Sequence, residues 1–159
     1  MKKTDISKVI AATKHPSRVT MAVCKDEKGN FNAITLEWFM RTSINPPMFA
    51  ISIGHQRYSY NCLQKNRYFN LCFPSKQLKE SVVFCGTKSG RDFDKFKETK
   101  MDWFPGKLAG YPVIKGAVAT FECEIVSQVK SGDHTIYAGE VKHAFLDKSK
   151  ELLLAENLS

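Results

Sequence analysis

The sequence lacks the long apolar runs that mark membrane and secreted proteins. No stretch reaches the roughly 20 apolar residues of a membrane-spanning helix. The N-terminal segment "MKKTDISKVIAATKHPSR" has basic residues but not the apolar core of a signal peptide. The composition does not change along the chain, so nothing divides it into two parts. We therefore expect one domain, residues 1–159, that is cytoplasmic and has no membrane partner.

The chain also lacks cysteines and histidines at the spacings of metal sites and disulfide frameworks. Its cysteines are odd in number, lie far apart and include no CxxC pair. Such thiols are typically reduced and buried as small apolar side chains, so we expect no bound metal. The pattern leaves open whether one thiol is reactive. The five are Cys24, Cys62, Cys72, Cys85 and Cys123.

Common catalytic motifs are missing as well. The sequence has no GxSxG, no HExxH, no P-loop and no GxGxxG. Four histidines, His15, His55, His134 and His143, stand apart from one another, and isolated histidines are most often surface residues or hydrogen-bonded core residues. Side-chain acid–base catalysis is therefore not indicated, and a bound cofactor that carries its own chemistry is favoured.

What the chain does have is excess positive charge, with a formal net charge of +8. This charge suits an anionic partner, either nucleic acid or a phosphorylated small molecule. Tyr58, Tyr60, Phe69 and Phe73 could stack on nucleic-acid bases, which keeps a basic nucleic-acid-binding barrel as an alternative. Aromatic residues in alternating strands are more often core residues, however, and the lysines form no dense stripe. We therefore expect no nucleic-acid partner.

Alternation of apolar and polar residues predicts a mainly β protein. The hairpin "RVTMAVC" to "FNAITLEW" has a Gly-Asn turn signal, and two prolines delay the next strand, "MFAISI", until about Met48. "RYFNLCFP" (67–74) is a further strand. Two long strands, "AVATFECEIVSQVKS" and "TIYAGEVKHAFLD", are joined by the turn "GDH". Five or six long strands with short helices predict a small antiparallel β-barrel.

Short helices are predicted between the strands. "SYNCLQKN" reads as one, and "SKQLKESVVFCGT" as another, with Ser75 as its N-cap and Gly86 just past its end. Leu78, Val82 and Val83 would lie on one face of the second helix. A third, shorter helix is predicted around Asp92–Glu98, followed by a long irregular stretch of the kind that is often functional.

Two stretches in the first half of the chain could build a cofactor site. In "NAITLEW", small and polar side chains would let a planar ring approach the backbone of the strand, although an ordinary edge strand has the same pattern. In "GHQRYSYN", Gly54 permits a sharp departure from a buried strand, Arg57 offers a planar fork for phosphate, and Ser59 lies at the start of a helix. The alternative is a solvated loop in which Ser59 only caps the helix.

Two later stretches are equally open to two interpretations. "GTKSGRDFDKF" combines glycines with Arg91 and Lys95, which suits a phosphate or ring-edge contact but also a charged helix cap. In "GDHTIYAGEV", Gly132 and Asp133 suit a turn, and His134 would project from the rim of that turn.

In this order, the stretches resemble the flavin reductase-like family of FMN-binding split barrels, which includes flavoredoxins and NAD(P)H:flavin oxidoreductases. The resemblance runs from about His15 to about Leu146 and includes the "NPP" before the third strand, "FNLCF" and "SGRDFDKF". It implies an antiparallel Greek-key split barrel, bound FMN, NADH or NADPH as electron donor, and a homodimer. It further implies that His134 lies on the nicotinamide side of the ring.

The same resemblance assigns the cofactor site residue by residue. Backbone groups of one strand would contact the flavin ring, the residues after "MFAISI" would hold the phosphate, and the "SGRDFDKF" stretch would approach the flavin from above. These cofactor-binding residues are Asn32, Ala33, Ile34, Thr35, Leu36, Ser52, Gly54, Arg57, Ser59, Tyr60, Ser89, Asp94, Lys95 and Phe96.

The sequence departs from the family pattern at two positions. Ser59 replaces the usual threonine of the phosphate loop and keeps a hydroxyl, and Glu37 stands where many relatives have a small or neutral residue. An alternative within the family is an FMN electron carrier that takes electrons from a redox partner protein and has no dinucleotide site. The sequence does not distinguish NADH from NADPH, or a tightly held FMN from a released one.

Overall fold

The protein is described by a computed structural model over residues 3–13 and 17–158. His15, where the resemblance begins, lies outside these ranges. The helices are α1 (Ile6–Thr13), α2 (Tyr58–Lys65), α3 (Lys79–Thr87) and α4 (Lys95–Thr99), with 3-10 turns at Lys76–Leu78 and Ala155–Leu158. The strands are β1 (Thr20–Lys25), β2 (Phe31–Leu36), β3 (Phe39–Ser43), β4 (Met48–Gly54), β5 (Tyr68–Pro74), β6 (Trp103–Pro105), β7 (Pro112–Ile114), β8 (Ala117–Ser131) and β9 (His134–Leu146).

Seven strands form one antiparallel sheet in the order β2-β1-β5-β8-β9-β4-β3, and β6 pairs separately with β7. Apolar side chains from β1, β2, β4, β5, β8 and β9 meet in one interior cluster that includes Ala22, Leu36, Ile51, Leu71 and Tyr137. A sheet whose two halves face a common core is curled on itself. The predicted mainly β, antiparallel barrel with short helices is therefore confirmed.

The strand β1 is buried on both faces because a second layer covers the outside of the barrel. Successive side chains of a strand point to opposite faces. Ala22 and Cys24 accordingly face the barrel interior, whereas Met21 and Val23 pack in a second cluster with Val82 of α3. This arrangement fixes α3 against the outer face of β1 and β2. The strand β2 is the predicted ring-binding strand.

The long strands and the start of β4 at Met48 agree with the sequence prediction, and all five cysteines are buried and free, as expected. The number of strands predicted from the sequence was too low. The strand β3 was missed because it is mostly exposed and has no apolar face. The stretch after α4 was predicted to be irregular, but it contains the β6–β7 pair. The third helix begins at Lys95 rather than near Asp92, since the Asp94 side chain caps the Lys97 N–H.

Two predictions about α3 were wrong. Val83 is 39% exposed, and the buried face consists of Leu78, Val82 and Cys85. The reason is that residues spaced by three or four share a helix face, as Leu78, Val82 and Cys85 do, whereas Val83 is five residues from Leu78. Gly86 lies inside the helix, which continues to Thr87. A Cβ on Gly86 would approach Thr35 Cβ at 3.3 Å, so the glycine allows α3 to lie against β2 rather than ending the helix.

The fold brings distant loops to one end of the barrel. β4 pairs with β9 so that Gly54 is opposite His134, and the His55 N–H donates to the Asp133 carbonyl at 2.9 Å. The segment after β4 and the turn before β9 are therefore neighbours. Within the described ranges, the helices are all too short to cross a membrane.

Candidate functional site

Distant parts of the chain line a cavity of about 700 Å³ at this end of the barrel. Its wall consists of residues 54–59, 85–91 and 133–134, together with Ile34 and Lys95. The volume lies within the ~300–1,000 Å³ that is usual for small-molecule sites. Three of the four stretches singled out in the sequence thus meet in one cavity, and the fourth, "NAITLEW", contributes Ile34.

The N-terminus of α2 forms one side of the cavity. Arg57 is the N-cap residue in an extended conformation (φ −77°, ψ 140°); its side chain does not cap the helix and is exposed. The Arg57 N–H donates to the Gly54 carbonyl at 3.0 Å, which turns the chain sharply after β4. A helix N-terminus attracts anions, and a guanidinium at the same point adds a forked donor. This corner can therefore hold a phosphate.

A buried polar network lies beneath this corner. Asn32 Nδ2 on β2 donates to Ser59 Oγ at 2.8 Å, and both side chains are almost fully buried. Asn32 Oδ1 is also buried, and among the described residues it has no hydrogen-bond partner. An unpaired buried acceptor costs about 1–3 kcal/mol, so a donor from outside the described chain would stabilise it.

Gly90 brings the loop after α3 directly onto this network. A Cβ on Gly90 would overlap Asn32 Oδ1 and would lie 2.6 Å from Tyr58 Cδ1. Arg91, the next residue, donates from Nη1 to the Gln56 carbonyl at 3.2 Å and lies over the Tyr58 ring at 5.9 Å. The loop therefore closes against the phosphate corner through a glycine and an arginine.

The Tyr58 side chain is fixed by a hydrogen bond from its hydroxyl group. Its hydroxyl donates to Asp26 Oδ2 at 3.0 Å, and burial, followed by this hydrogen bond, raises the pKa of Tyr58 to about 12. Tyr58 and Arg91 line the cavity but were not among the predicted site residues. The sequence signal for Arg91 was its position in the "SGRDFDKF" stretch; for Tyr58 only its aromatic character was visible.

His134 is fixed at the rim of the cavity from three directions. Its Nδ1 donates to Asp133 Oδ1 at 2.6 Å, and this hydrogen bond lowers the pKa of the Asp133 carboxyl. The Trp38 ring packs on it with centroids 4.6 Å apart. A Cβ on Gly54 would approach His134 Nε2 at 3.2 Å, so the absence of a side chain at residue 54 makes room for the imidazole.

The predicted site residues fall into three groups. Those in the cavity wall are Ile34, Gly54, Arg57, Ser59, Ser89, Lys95 and His134. Those connected to the wall by a hydrogen bond or close contact are Asn32, Ala33 and Thr35. Five predicted residues lie elsewhere. Leu36 and Tyr60 pack in or against the barrel core, and Phe96 packs against the cluster between β1 and α3. The Ser52 N–H donates to the Trp38 carbonyl, and Asp94 caps α4.

Three other sequence features are now located. Glu37 accepts a hydrogen bond from the Ser17 hydroxyl at 2.9 Å. Phe69 is fully buried and Phe73 is 7% exposed, both inside the barrel, so neither offers a stacking surface to nucleic-acid bases. The described residues contain no group of three or more His, Cys, Asp and Glu side chains placed to hold a metal ion.

Comparison with known proteins identifies relatives over most of the chain. The Flavin reductase like domain family matches residues 12–157. A protein of Archaeoglobus fulgidus is 31% identical over 129 residues, which are 81% of this chain and 72% of that protein. An NADH-dependent FAD reductase of Streptomyces globisporus is 32% identical over 109 residues, which are 68% of this chain and 59% of the reductase. Among solved structures, a flavoredoxin from Methanosarcina acetivorans superimposes with a TM-score of 0.81 at 25% identity, covering 93% of this chain and 77% of that one.

Proposed function

Because the chain belongs to the flavin reductase like family, we propose that it is an NAD(P)H-dependent flavin oxidoreductase that binds FMN in the 700 Å³ cavity. The observation that carries the proposal is that the Arg57 corner at the start of α2 and the fixed His134 line one cavity. A relative named as an NADH-dependent FAD reductase supports the dinucleotide as donor and flavin as acceptor.

The residues of the cavity suit the parts of FMN. Arg57 and the N–H groups that begin α2 would bind the phosphate, which is the negatively charged end of the molecule. Asn32 supports this corner from beneath, because its Nδ2 donates to Ser59 Oγ in the cavity wall. FMN supplies the redox chemistry when it is bound, by taking up a hydride at N5.

The protein's contribution to catalysis is then positioning. His134, held by Asp133 and Trp38, would shape the nicotinamide pocket at the cavity rim. Arg91, which lies over Tyr58 in the cavity wall, would add positive charge for the dinucleotide phosphates. The walls of the cavity would exclude water and hold two rings at the distance that hydride transfer needs, without a protein nucleophile.

The direct test of the function is an anaerobic titration of the purified, FMN-loaded protein. NADH or NADPH should bleach the flavin absorbance band, and parallel titrations with both dinucleotides identify the donor. If neither dinucleotide bleaches the band, the reductase is excluded. The likeness to a flavoredoxin then favours the electron carrier, which takes electrons from a redox partner protein. If the protein binds neither FMN nor FAD, the cavity assignment fails.

Replacement of His134 by alanine is expected to leave FMN bound and to slow its reduction by the dinucleotide. The reason is that His134 belongs to the cavity wall but is not part of the Arg57 corner at the start of α2 that would bind the phosphate. Stopped-flow absorbance gives the rate of reduction, and equilibrium dialysis gives FMN retention. His143→Ala is the matched control, because His143 lies on β9 outside the cavity wall. Unchanged reduction kinetics would remove His134 from the site.

The protein is also proposed to be a homodimer. The described helix α1 has no buried residue, and its apolar side chains Ile6, Val9 and Ile10 are 76%, 46% and 62% exposed. An eight-residue helix is marginal in water by itself, so a second copy that covers this face would stabilise it. Sedimentation of the full chain distinguishes 18.0 kDa from twice that mass.

A further inference from the structure

A second cavity of about 340 Å³ adjoins the one described above. The two cavities share Tyr58, Gly90 and Arg91, which form a common wall. The rest of the second cavity comes from the β1–β2 turn, the start of β2 and the segment before α4. These residues are Asp26, Asn30, Phe31, Asn32, Asp92, Phe93 and Asp94. We call this space the acidic cavity, because its wall has three carboxylates and one guanidinium.

The carboxylates of the acidic cavity have no cationic partner in the described part of the chain. None of the ion pairs there includes Asp26, Asp92 or Asp94. The Arg91 guanidinium instead donates from Nη1 to the carbonyl of Gln56, a residue that lines the first cavity. The first cavity has the opposite charge, since its wall contains four cationic residues and one carboxylate. The acidic cavity should therefore attract cations, although the whole chain has a net charge of +8.

The surroundings of Asp26 keep its side chain ionised. Burial acts to raise the pKa of Asp26, but hydrogen bonds from Asn30, Tyr58 and the Lys28 N–H outweigh this effect and lower it. The Tyr58 hydroxyl lies 3.0 Å from Asp26 Oδ2, and Asn30 Nδ2 lies 3.1 Å from the same oxygen. These bonds also fix the carboxylate, so one negative charge of the cavity has a defined position.

An unpaired hydrogen-bond acceptor lies in the wall of the acidic cavity. Asn32 is 3% exposed, and it lines this cavity but not the first one. Its Oδ1 has no partner among the described residues and lies beside Gly90, where a Cβ would overlap it. The Asn32 amide already donates from Nδ2 to Ser59. A ligand with N–H donors would supply the missing hydrogen bond, and the surrounding carboxylates favour a positively charged donor.

Aromatic rings provide an apolar surface beside these charges. Phe31, Tyr58 and Phe93 line the acidic cavity. A further cavity of about 420 Å³ shares Phe31 with it and continues to Met101 and Trp103. The Phe31 and Trp103 rings meet edge to face, with their centroids 5.9 Å apart. The space therefore suits a ligand that has a cationic end and an aromatic end.

We propose that the acidic cavity binds an arylalkylamine, a primary ammonium ion joined to an aromatic ring by a short chain. The ammonium group donates to Asn32 Oδ1 and to the carboxylates of Asp26 and Asp92, and the ring packs on Phe31 and Phe93. Binding involves no covalent bond and no electron transfer. The inference goes beyond the flavin function proposed above and does not depend on it, because the amine occupies a different cavity.

The test is isothermal titration calorimetry of the purified full chain with phenethylamine, phenethyl alcohol and hydrocinnamate. Near neutral pH these compounds of similar size are a cation, a neutral molecule and an anion. One phenethylamine should bind per chain, and the other two should bind at least about tenfold more weakly, as expected for the loss of a charge-assisted hydrogen bond. Added sodium chloride should weaken binding of the amine. Equal binding of the three compounds, or no saturable binding of the amine up to roughly 10 mM, would overturn the proposal.

An Asp92→Asn variant locates the bound amine. Asp92 is exposed, so the replacement should leave the fold unchanged and should weaken phenethylamine binding about three- to fivefold, as expected for an exposed ion pair. The control Asp102→Asn removes an exposed carboxylate outside the acidic cavity and should match wild type. Wild type saturated with FMN should still bind the amine. Equal affinities of the two variants, or displacement of the amine by FMN, would place the amine elsewhere and contradict the proposal.

Discussion

Replacing Arg57 with alanine is expected to weaken FMN retention by about 1.5 to 3 kcal/mol, the range for a hydrogen bond to a charged group. This corresponds to roughly a 10- to 150-fold increase in the dissociation constant. Arg57 is exposed, holds an extended N-cap conformation and does not cap α2, so its forked donor is available to a phosphate. The replacement removes no buried contact, so the protein should remain folded. Equilibrium dialysis against buffer, with the flavin followed by absorbance, measures the effect.

The control for this prediction is Arg41→Ala. Arg41 is an exposed arginine on β3 and is not part of the cavity wall. The Arg41→Ala variant removes the same charge from the protein, so it accounts for any general effect of net charge on FMN binding. Riboflavin, which lacks the phosphate, should bind wild type and Arg57→Ala with the same affinity. If Arg57→Ala loses FMN no faster than Arg41→Ala, the phosphate lies elsewhere.

Replacing Gly90 with alanine is expected to destabilise the protein and to weaken FMN binding. The new Cβ would overlap Asn32 Oδ1 and would lie 2.6 Å from Tyr58 Cδ1. Neither side chain can move freely, because Asn32 is bonded to Ser59 and Tyr58 to Asp26. We expect a loss of about 1–3 kcal/mol in the free energy of unfolding, the usual cost of overpacking, and at least a tenfold loss of FMN affinity. Urea denaturation and FMN titration measure the two effects.

Gly86→Ala provides a graded comparison. Neither Gly86 nor Gly90 is among the described glycines with positive φ, so alanine strains neither backbone and the difference between the variants is steric. At Gly86 the nearest approach would be 3.3 Å, to Thr35 Cβ, which a small shift can relieve. Gly86→Ala should therefore cost less in both measurements. Equal effects at the two positions would show that the Asn32–Tyr58 contact does not set the cost.

Parts of the candidate site were accessible from the sequence because their residues are neighbours along the chain. Gly54, Arg57 and Ser59 lie within six residues, at the exit of an apolar strand, and the fold keeps them together at the start of α2. Their role as a phosphate site remains a prediction. Tyr60, from the same stretch, is not part of the cavity wall; its ring packs against His55 and the barrel core. A helix turns successive side chains in different directions, so adjacency alone did not identify the lining residues.

Other features depended on contacts that no local pattern encodes. Lys95 looked like an exposed lysine in a charged stretch, yet it is enclosed by carbonyls of β2 and α3. Gly86 looked like a helix stop, yet it is the point where α3 touches β2. The burial of Lys95 and the contact of Gly86 with β2 are both set by the packing of elements that lie ten or more residues apart.

By itself, the sequence determined the mainly antiparallel β architecture, most strand positions and the order of the polar stretches. These follow from alternation, turn residues and chain order, which are local properties. Only the tertiary structure decided that the ends of β4 and β9 are neighbours, that Asn32 Oδ1 is left without a partner among the described residues, and that Lys95 is buried at the cavity. The physical reason is that burial and hydrogen-bond pairing depend on which surfaces meet when the sheet curls, and an isolated stretch of sequence does not specify those surfaces.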